Sequence, residues 1–278
     1  MNFAKYQGTG NDFVMVSDSR DELKLTPDLV RSLCNRRFGI GADGVVRVAP
    51  ATEADFLMDY VNADGSVSEI CGNGLRCLAV FARAEGLTTK DEIIVATGAG
   101  PKTVTVQADG RVRVDMGAPI FEPERVPFDA KGADPLHAKI EVDGDVVETA
   151  VLSMGNPHAV LFVDEPKLAP VGWLGPLIEH DRRFPRKANV EFARVESAER
   201  IALRVWERGS GETLACGTGA CAAAVAARLL RDTEESVTVA LVGGELAIEW
   251  SGSLADKASV FMTGPATEVF RGEVHLTL

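Results

Sequence analysis

The chain has 278 residues, 46% of them hydrophobic and 25% charged, with a formal net charge of −12. That acidity, with no Lys/Arg cluster, argues against a phosphate-backbone binder, so no nucleic-acid partner is expected. No apolar run of transmembrane length and no signal-peptide pattern follows Met1, which makes a cytoplasmic location with no membrane partner the expectation.

In chain order, Phe3 to Ser17 reads as a strand broken by the turn Gly8-Thr9-Gly10-Asn11, and Thr26-Pro27 caps a helix running toward Arg37. Strands follow at Gly44 to Val48 and Phe56 to Val61, then the turn Asn62-Ala63-Asp64-Gly65 and a helix from the Cys71 motif to about Glu85, with Gly86 as its cap. Ile93 to Val95, Lys102 to Gln107 and Arg111 to Met116 are short strands, the last two joined by a hairpin turn at Ala108-Asp109-Gly110. The second half repeats this order. It has a strand from Ala150, a turn at Gly155-Asn156-Pro157, a strand Ala159 to Val163, a helix around Val171 to Asp181, and strands near Asn189 to Val195 and Ile201 to Trp206. A helix from Ala220 to about Arg231 follows, then strands near 237 to 242, 245 to 250 and 258 to 262. Leu75 to Ala82 and Ala220 to Arg231 are apolar on nearly every face, so each belongs inside its own domain.

The repetition has a fixed offset. Cys71-Gly72-Asn73-Gly74 and Cys216-Gly217-Thr218-Gly219 stand 145 residues apart, and the same offset joins Asn11 to Asn156, Gly44 to Asn189 and Asn62 to Glu207. Such a register marks a duplication. The expected fold class is α+β: two pseudo-symmetric domains, 1–117 and 118–265, each a curled, mostly antiparallel sheet around a central helix. A C-terminal strand, 266–278, returns to the first domain, and the active site lies in the interdomain cleft.

A cysteine opening a helix has its thiolate favoured by the dipole and by the first-turn N–H groups, which brings a thiol pKa from about 8.5 into the range ~3.5 to 7.5. The glycines allow close backbone approach and an anion cradle. Two such thiols in matched domains suit stereoinversion: one removes a proton next to a carboxylate and the other delivers a proton to the opposite face. No cofactor is needed for that scheme. Gly39-Ile40-Gly41-Ala42-Asp43-Gly44 satisfies a dinucleotide fingerprint, but Val45 to Val48 after it reads as a strand and not the required helix. The cysteines lack paired zinc spacing, so no metal is expected, and Cys34, Cys77 and Cys221 read as core packing. Five cysteines, an odd number, fit reduced thiols better than a disulfide framework. A non-catalytic module holding a small anion at paired helix starts, and a thiol-disulfide oxidoreductase, are the readings from other classes.

The segments Asn62-Ala63-Asp64-Gly65-Ser66, Ile70 to Cys77, Gly155-Asn156-Pro157-His158, Asn189-Val190-Glu191-Phe192, Trp206-Glu207-Arg208-Gly209 and Ala215 to Cys221 resemble the diaminopimelate epimerases over nearly the whole chain. The Cys-Gly-Thr-Gly element alone is shared with proline racemases, which carry the same chemistry. The resemblance implies a cofactor-independent homodimer interconverting LL- and meso-diaminopimelate, on the route to lysine and bacterial cell wall. By the same likeness Cys71 and Cys216 are the acid/base pair, and Gly72, Asn73, Gly217 and Thr218 bind the reacting carboxylate through backbone amides. Asn11, Asn62, Asn156, Asn189, Glu207 and Arg208 bind the rest of the substrate, which their chemistry suits: Arg208 can pair a carboxylate, while Glu207 and the asparagine carbonyls accept from ammonium. The family often carries glutamine where this chain has Gly44, so no side-chain contact is assigned there. His158 is a secondary candidate for proton relay.

Overall fold

In the computed structural model, which describes residues 1–67 and 70–275, β1 (Asn2–Gly8) and β2 (Asn11–Ser17) pair antiparallel with Gly8 opposite Asn11. Only Thr9 and Gly10 form the turn, both with positive φ (52° and 84°), the combination whose twist matches a hairpin. Threonine is strained in that region, and its hydroxyl accepts a 3.1 Å hydrogen bond from the buried Arg76 guanidinium. Arg76 also donates to the Pro265 carbonyl at 3.1 Å, so one buried cation clamps the loop that precedes Asn11.

Helix α1 (Pro27–Cys34) begins as expected, with the Thr26 hydroxyl accepting from Leu29 N–H and proline in the first turn. It stops short of Arg37. Asn35 turns extended, and its side-chain oxygen accepts from the N–H groups of Arg37 and Phe38, both at 2.9 Å, offering the backbone a local alternative to the helix. β3 (Gly44–Ala49) then lies parallel to β2, and β4 (Phe56–Asn62) antiparallel to β3. Helix α2 (Gly72–Ala84) buries Leu75, Cys77, Leu78, Ala79, Phe81 and Ala82 against the sheet. It ends in a Schellman closure, with Leu87 N–H to Ala82 O, Gly86 N–H to Arg83 O, and Gly86 at φ 69°. β5 (Glu92–Ala96), parallel to β4, continues into the antiparallel β6 (Lys102–Val106) and β7 (Val112–Gly117).

The second half opens earlier than expected. β8 (Ala138–Val142) and β9 (Asp145–Ser153) form a hairpin across Asp143-Gly144, whose φ values of 51° and 90° repeat the Thr9-Gly10 geometry. β10 (Pro157–Phe162) pairs with β9. Helix α3 (Val171–Glu179) follows, then β11 (Asn189–Ser197) parallel to β10, and β12 (Arg200–Glu207) antiparallel to β11. A short strand β13 (Gly211–Thr213), not anticipated, folds back on β12. Helix α4 (Gly217–Leu230) is buried from Gly217 through Ala227, as its all-round apolar pattern requires. β14 (Ser236–Leu241), β15 (Gly244–Glu249) and β16 (Val260–Gly264) complete the copy, and β17 (Thr267–Glu273) pairs with β1. β17 occupies part of the expected strand 266–278, whose last three residues lie outside the described part.

The duplication is written into the ladders. Phe13 pairs with Gly44 in β2–β3, and His158 with Asn189 in β10–β11, each pair displaced by the same 145 residues. Two compact units result: Met1–Asp115 with the segment from Thr263, and Met116–Met262. Among the described residues each is an α+β body with a mainly antiparallel sheet, with parallel pairs β2–β3 and β4–β5 in the first and β10–β11 and β12–β14 in the second. The second has its own core, in which Ile140, Val151, Leu161, Ile178, Val190 and Phe192 pack together. Among the described residues no helix is long and apolar enough to cross a membrane.

Gly44 shows how tightly the first sheet is packed. A Cβ there would stand 2.5 Å from the Tyr60 ring and 2.7 Å from the Val61 carbonyl, so neither Ala nor Gln fits without displacing β4. Gly44→Ala is expected to lose about 1–3 kcal/mol in denaturant unfolding, the cost of overpacking. Gly172→Ala, in α3 where a Cβ meets nothing within 4 Å, is expected to gain roughly 0.5–1 kcal/mol.

Candidate active site

Each motif cysteine is the N-cap of its helix. Cys71 has extended backbone (φ −139°, ψ 107°), and its sulfur accepts from Gly74 N–H at 3.4 Å while Leu75 N–H closes the first helical turn on its carbonyl. Cys216 repeats this with φ −117°, ψ 114°, Gly219 N–H at 3.4 Å and Ala220 N–H on its carbonyl. The first-turn N–H groups of Gly72, Asn73, Gly217 and Thr218 have no acceptor within their helices and carry the positive end of the dipole. That is chemistry for holding a carboxylate.

Around Cys71, Asn11 is turned by Asp43. Its Nδ2 donates to Asp43 Oδ2 at 2.7 Å, which directs Oδ1 toward Cys71 Sγ at 3.8 Å and Asn73 Nδ2 at 3.1 Å. Behind it, Arg36 bridges Asp12 and Asp43 at 2.8 Å each, and Lys5 meets Asp12 at 2.7 Å. Burial pushes the Asp12 carboxyl up, but hydrogen bonds from Arg36 and Lys5 overcome it and hold the group well below the usual carboxylate range. Asn62 donates from Nδ2 to Ser66 Oγ at 3.0 Å and from its backbone to Ser66 O at 2.9 Å, closing the turn after β4.

Around Cys216 the equivalent groups are arranged differently. Sγ lies 3.5 Å from Thr218 Oγ1, which accepts from Asn156 Nδ2 at 3.3 Å. Asn156 Oδ1 faces His158 Nε2 at 2.9 Å, and His158 Nδ1 faces Glu191 Oε1 at 2.7 Å, with both members of that pair fully buried. Asn189 braces the strands: Nδ2 donates to Pro157 O at 3.0 Å, and Oδ1 accepts from Arg208 N–H at 2.9 Å. Glu207 accepts from the Thr213 hydroxyl, and the Arg208 guanidinium donates to Arg186 O at 3.2 Å. The turn that carries Glu207 and Arg208 is anchored by buried Glu179, which accepts from Trp206 Nε1 at 2.7 Å and Gly209 N–H at 3.0 Å.

The two cysteines differ in solvent access: Cys71 is half-buried, Cys216 only 5% exposed. The expectation that a helix start lowers the thiol pKa fails for Cys216. Burial pushes this thiol well above its ordinary value, Glu207 and Glu191 add to the push, and the Thr218 and Gly219 donors do not offset it. Burial also drives Cys34 and Cys77 up to about 12, in keeping with packing roles. Within the first unit the fold brings Cys71, Gly72, Asn73 and Asn11 together; within the second it gathers Cys216, Gly217, Thr218 and Asn156, with Asn189, Glu207 and Arg208 on the adjoining strand ends. Sequence reasoning missed Asp43, Glu179 and the part played by Glu191. Glu191 did carry a signal, as an acid between Val190 and Phe192 in the part of its strand, Asn189 to Ala193, that is buried on both faces.

The model of the family described as diaminopimelate epimerase matches residues 3–122 and again 150–269, one match for each half. The chain is 50% identical to the diaminopimelate epimerase of Thioalkalivibrio sulfidiphilus over 99% of both chains. It is 48% identical to that of Moorella thermoacetica, over 99% of this chain and all of the relative. The chain belongs to the diaminopimelate epimerase family. Its fold is shared more widely, with a Bacillus anthracis phenazine biosynthesis protein of the PhzF family (TM-score 0.72, 17% identity, 99% of both chains). A hydroxyproline epimerase from Agrobacterium vitis, solved with bound trans-4-hydroxy-L-proline, also has it (TM-score 0.71, 16% identity, 99% of this chain and 90% of that one).

In this family member the Glu207 carboxylate opposes ionisation of Cys216. Glu207→Gln keeps an acceptor for Thr213 and removes the charge, so Cys216 is expected to ionise more readily. Its iodoacetamide alkylation at pH 8, followed by mass mapping of the Cys216 peptide, should rise roughly threefold to tenfold.

Proposed function

We propose that the chain epimerises LL-diaminopimelate to meso-diaminopimelate without a cofactor, with Cys71 and Cys216 acting on opposite faces of one substrate carbon. The observation that carries this reading is the matched pair of cysteine N-caps, each sulfur held 3.4 Å from the N–H three residues on. One sulfur, as thiolate, takes the proton on the carbon next to the carboxylate; the electron pair left behind spreads into the carboxylate as an enediolate. The other sulfur, as thiol, gives its proton to the opposite face. The first-turn amides of Gly72, Asn73, Gly217 and Thr218 stabilise the charge that grows on the carboxylate oxygens. Each sulfur serves as base in one direction of turnover and as acid in the other. Asn11, Asn62, Asn156, Asn189, Glu207 and Arg208 hold the amino and carboxylate groups of the substrate. The working form in this reading is a cytoplasmic homodimer, for which sedimentation equilibrium should give twice the chain mass.

Cys71→Ala and Cys216→Ala each remove the acid/base group of one face and are expected to lower epimerisation by at least ~10². The measurement is NMR of LL-diaminopimelate in D₂O, with hydroxyproline as the competing substrate. In the wild type, early meso product should carry deuterium while unreacted LL substrate stays largely unlabelled. Single alanine variants within a few-fold of wild type would mean that one thiol suffices, and turnover of hydroxyproline instead would move the enzyme to the proline racemase type.

A further inference from the structure

The buried His158–Glu191 pair has no counterpart in the first half, where the equivalent positions 145 residues earlier are Phe13 and Val46. The fold therefore does not require it. The pair ends a hydrogen-bonded chain inside the second unit: Glu191 Oε1 to His158 Nδ1 at 2.7 Å, His158 Nε2 to Asn156 Oδ1 at 2.9 Å, Asn156 Nδ2 to Thr218 Oγ1 at 3.3 Å, and Thr218 Oγ1 to Cys216 Sγ at 3.5 Å. We propose that His158 and Glu191 are positioning residues that lock the Asn156 amide with its N–H toward Thr218, so that the Thr218 hydroxyl donates to the Cys216 sulfur. This rests on Cys216 being an acid/base residue.

The direction of each link follows from donor and acceptor chemistry. His158 Nε2 faces a carbonyl oxygen, so it carries a hydrogen. Nδ1 faces a carboxyl oxygen, so one further proton is shared between ring and carboxyl and the pair is neutral as a whole. Glu191 Oε2 has no hydrogen-bond partner among the described residues, which leaves Oε1 and its bond to Nδ1 as the anchor of the carboxyl. A histidine without that carboxyl would be free to exchange tautomers, and the Asn156 amide could turn over with it. With Asn156 N–H occupying a lone pair of Thr218, the hydroxyl hydrogen is left to point at sulfur.

In the first half Asp43 turns Asn11 the other way, so a carbonyl oxygen faces Cys71. The two sulfurs thus receive opposite hydrogen-bond partners. The charged groups acting on Cys216 are Glu207 and Glu191, which disfavour its anion; Thr218 and the Gly219 N–H favour it.

The test places the first half's residues in the second: His158→Phe with Glu191→Val, beside Glu191→Gln, Thr218→Val and Thr218→Ser. The readout is the rate of Cys216 alkylation by iodoacetamide from pH 7 to 10, which needs no turnover and so stands even if the epimerase reading fails. Thr218→Val is expected to slow Cys216 alkylation at pH 8 at least threefold against wild type, and the double variant at least threefold against Glu191→Gln, which removes the same carboxylate but keeps a partner for His158 Nδ1. The triple variant should be no slower than Thr218→Val alone, Thr218→Ser should match wild type, and Cys71 should alkylate unchanged. A double variant no slower than Glu191→Gln, or a triple variant slowed by the product of the two effects, overturns the proposal. Should the double variant not fold, ¹⁵N NMR of wild-type histidines decides: His158 Nε2 protonated from pH 7 to 9 supports it, and a bare Nε2 overturns it.

Discussion

A sulfur that caps a helix is the constraint on which each half depends. For Cys71 and Cys216 to accept the N–H three residues on, the chain must arrive extended, turn into helix at once, and keep the third position free of a side chain. At Gly219 an added Cβ would lie 3.3 Å from the Cys216 sulfur and 2.8 Å from Glu191 Oε1. The helix behind must then be held rigidly, and α4 is, with eleven consecutive residues from Gly217 to Ala227 buried. A helix start built this way gathers sulfur, backbone N–H groups and the dipole in a few ångströms. Loops alone would leave that arrangement to fluctuate.

Duplication preserves the backbone and lets the side chains diverge. The ladders of β2–β3 and β10–β11 superpose residue for residue in register, and Asn11 and Asn156 begin or precede equivalent strands. Yet Asn73 donates to Asn11, whereas its counterpart Thr218 accepts from Asn156. An inversion at carbon needs one sulfur with its proton and one without at any moment. In the reading proposed above the two sulfurs are told apart by burial, since Cys71 is half-buried and Cys216 buried, and a buried sulfur carries charge at greater cost.

What was legible from sequence was what depends on short-range pattern. The offset of 145, the all-apolar helices, the Thr26-Pro27 start and the Gly86 stop are local signals, and each element they mark formed where expected within a few residues. The end of α1 was misplaced because Asn35 competes for the backbone through its own side chain, which periodicity does not register. β8 was passed over although Asp143-Gly144 is a hairpin turn signal, and β13 is only three residues long. The acidity of Cys216 was read with the wrong sign for a different reason. Helix-end effects are local in sequence, but burial and the approach of Glu191 and Glu207 from two other strands are tertiary, and the tertiary contributions are larger.

That imbalance also accounts for the choice of partner behind Asn156. A buried ion pair seldom stabilises a fold more than well-packed apolar side chains of similar volume, because desolvation offsets the attraction. The first half makes the comparison directly: Phe13 and Val46 fill the corresponding space with no polar atoms to satisfy, and Phe13 gains an edge-to-face contact with Tyr60 at 5.7 Å. Stability alone would favour that solution in both halves. His158 and Glu191 bring two polar groups into a buried site and leave one carboxyl oxygen without a partner among the described residues, a cost that packing does not return. What they add is direction, since an asparagine amide has two nearly isosteric orientations and only a partner with a defined donor can select between them.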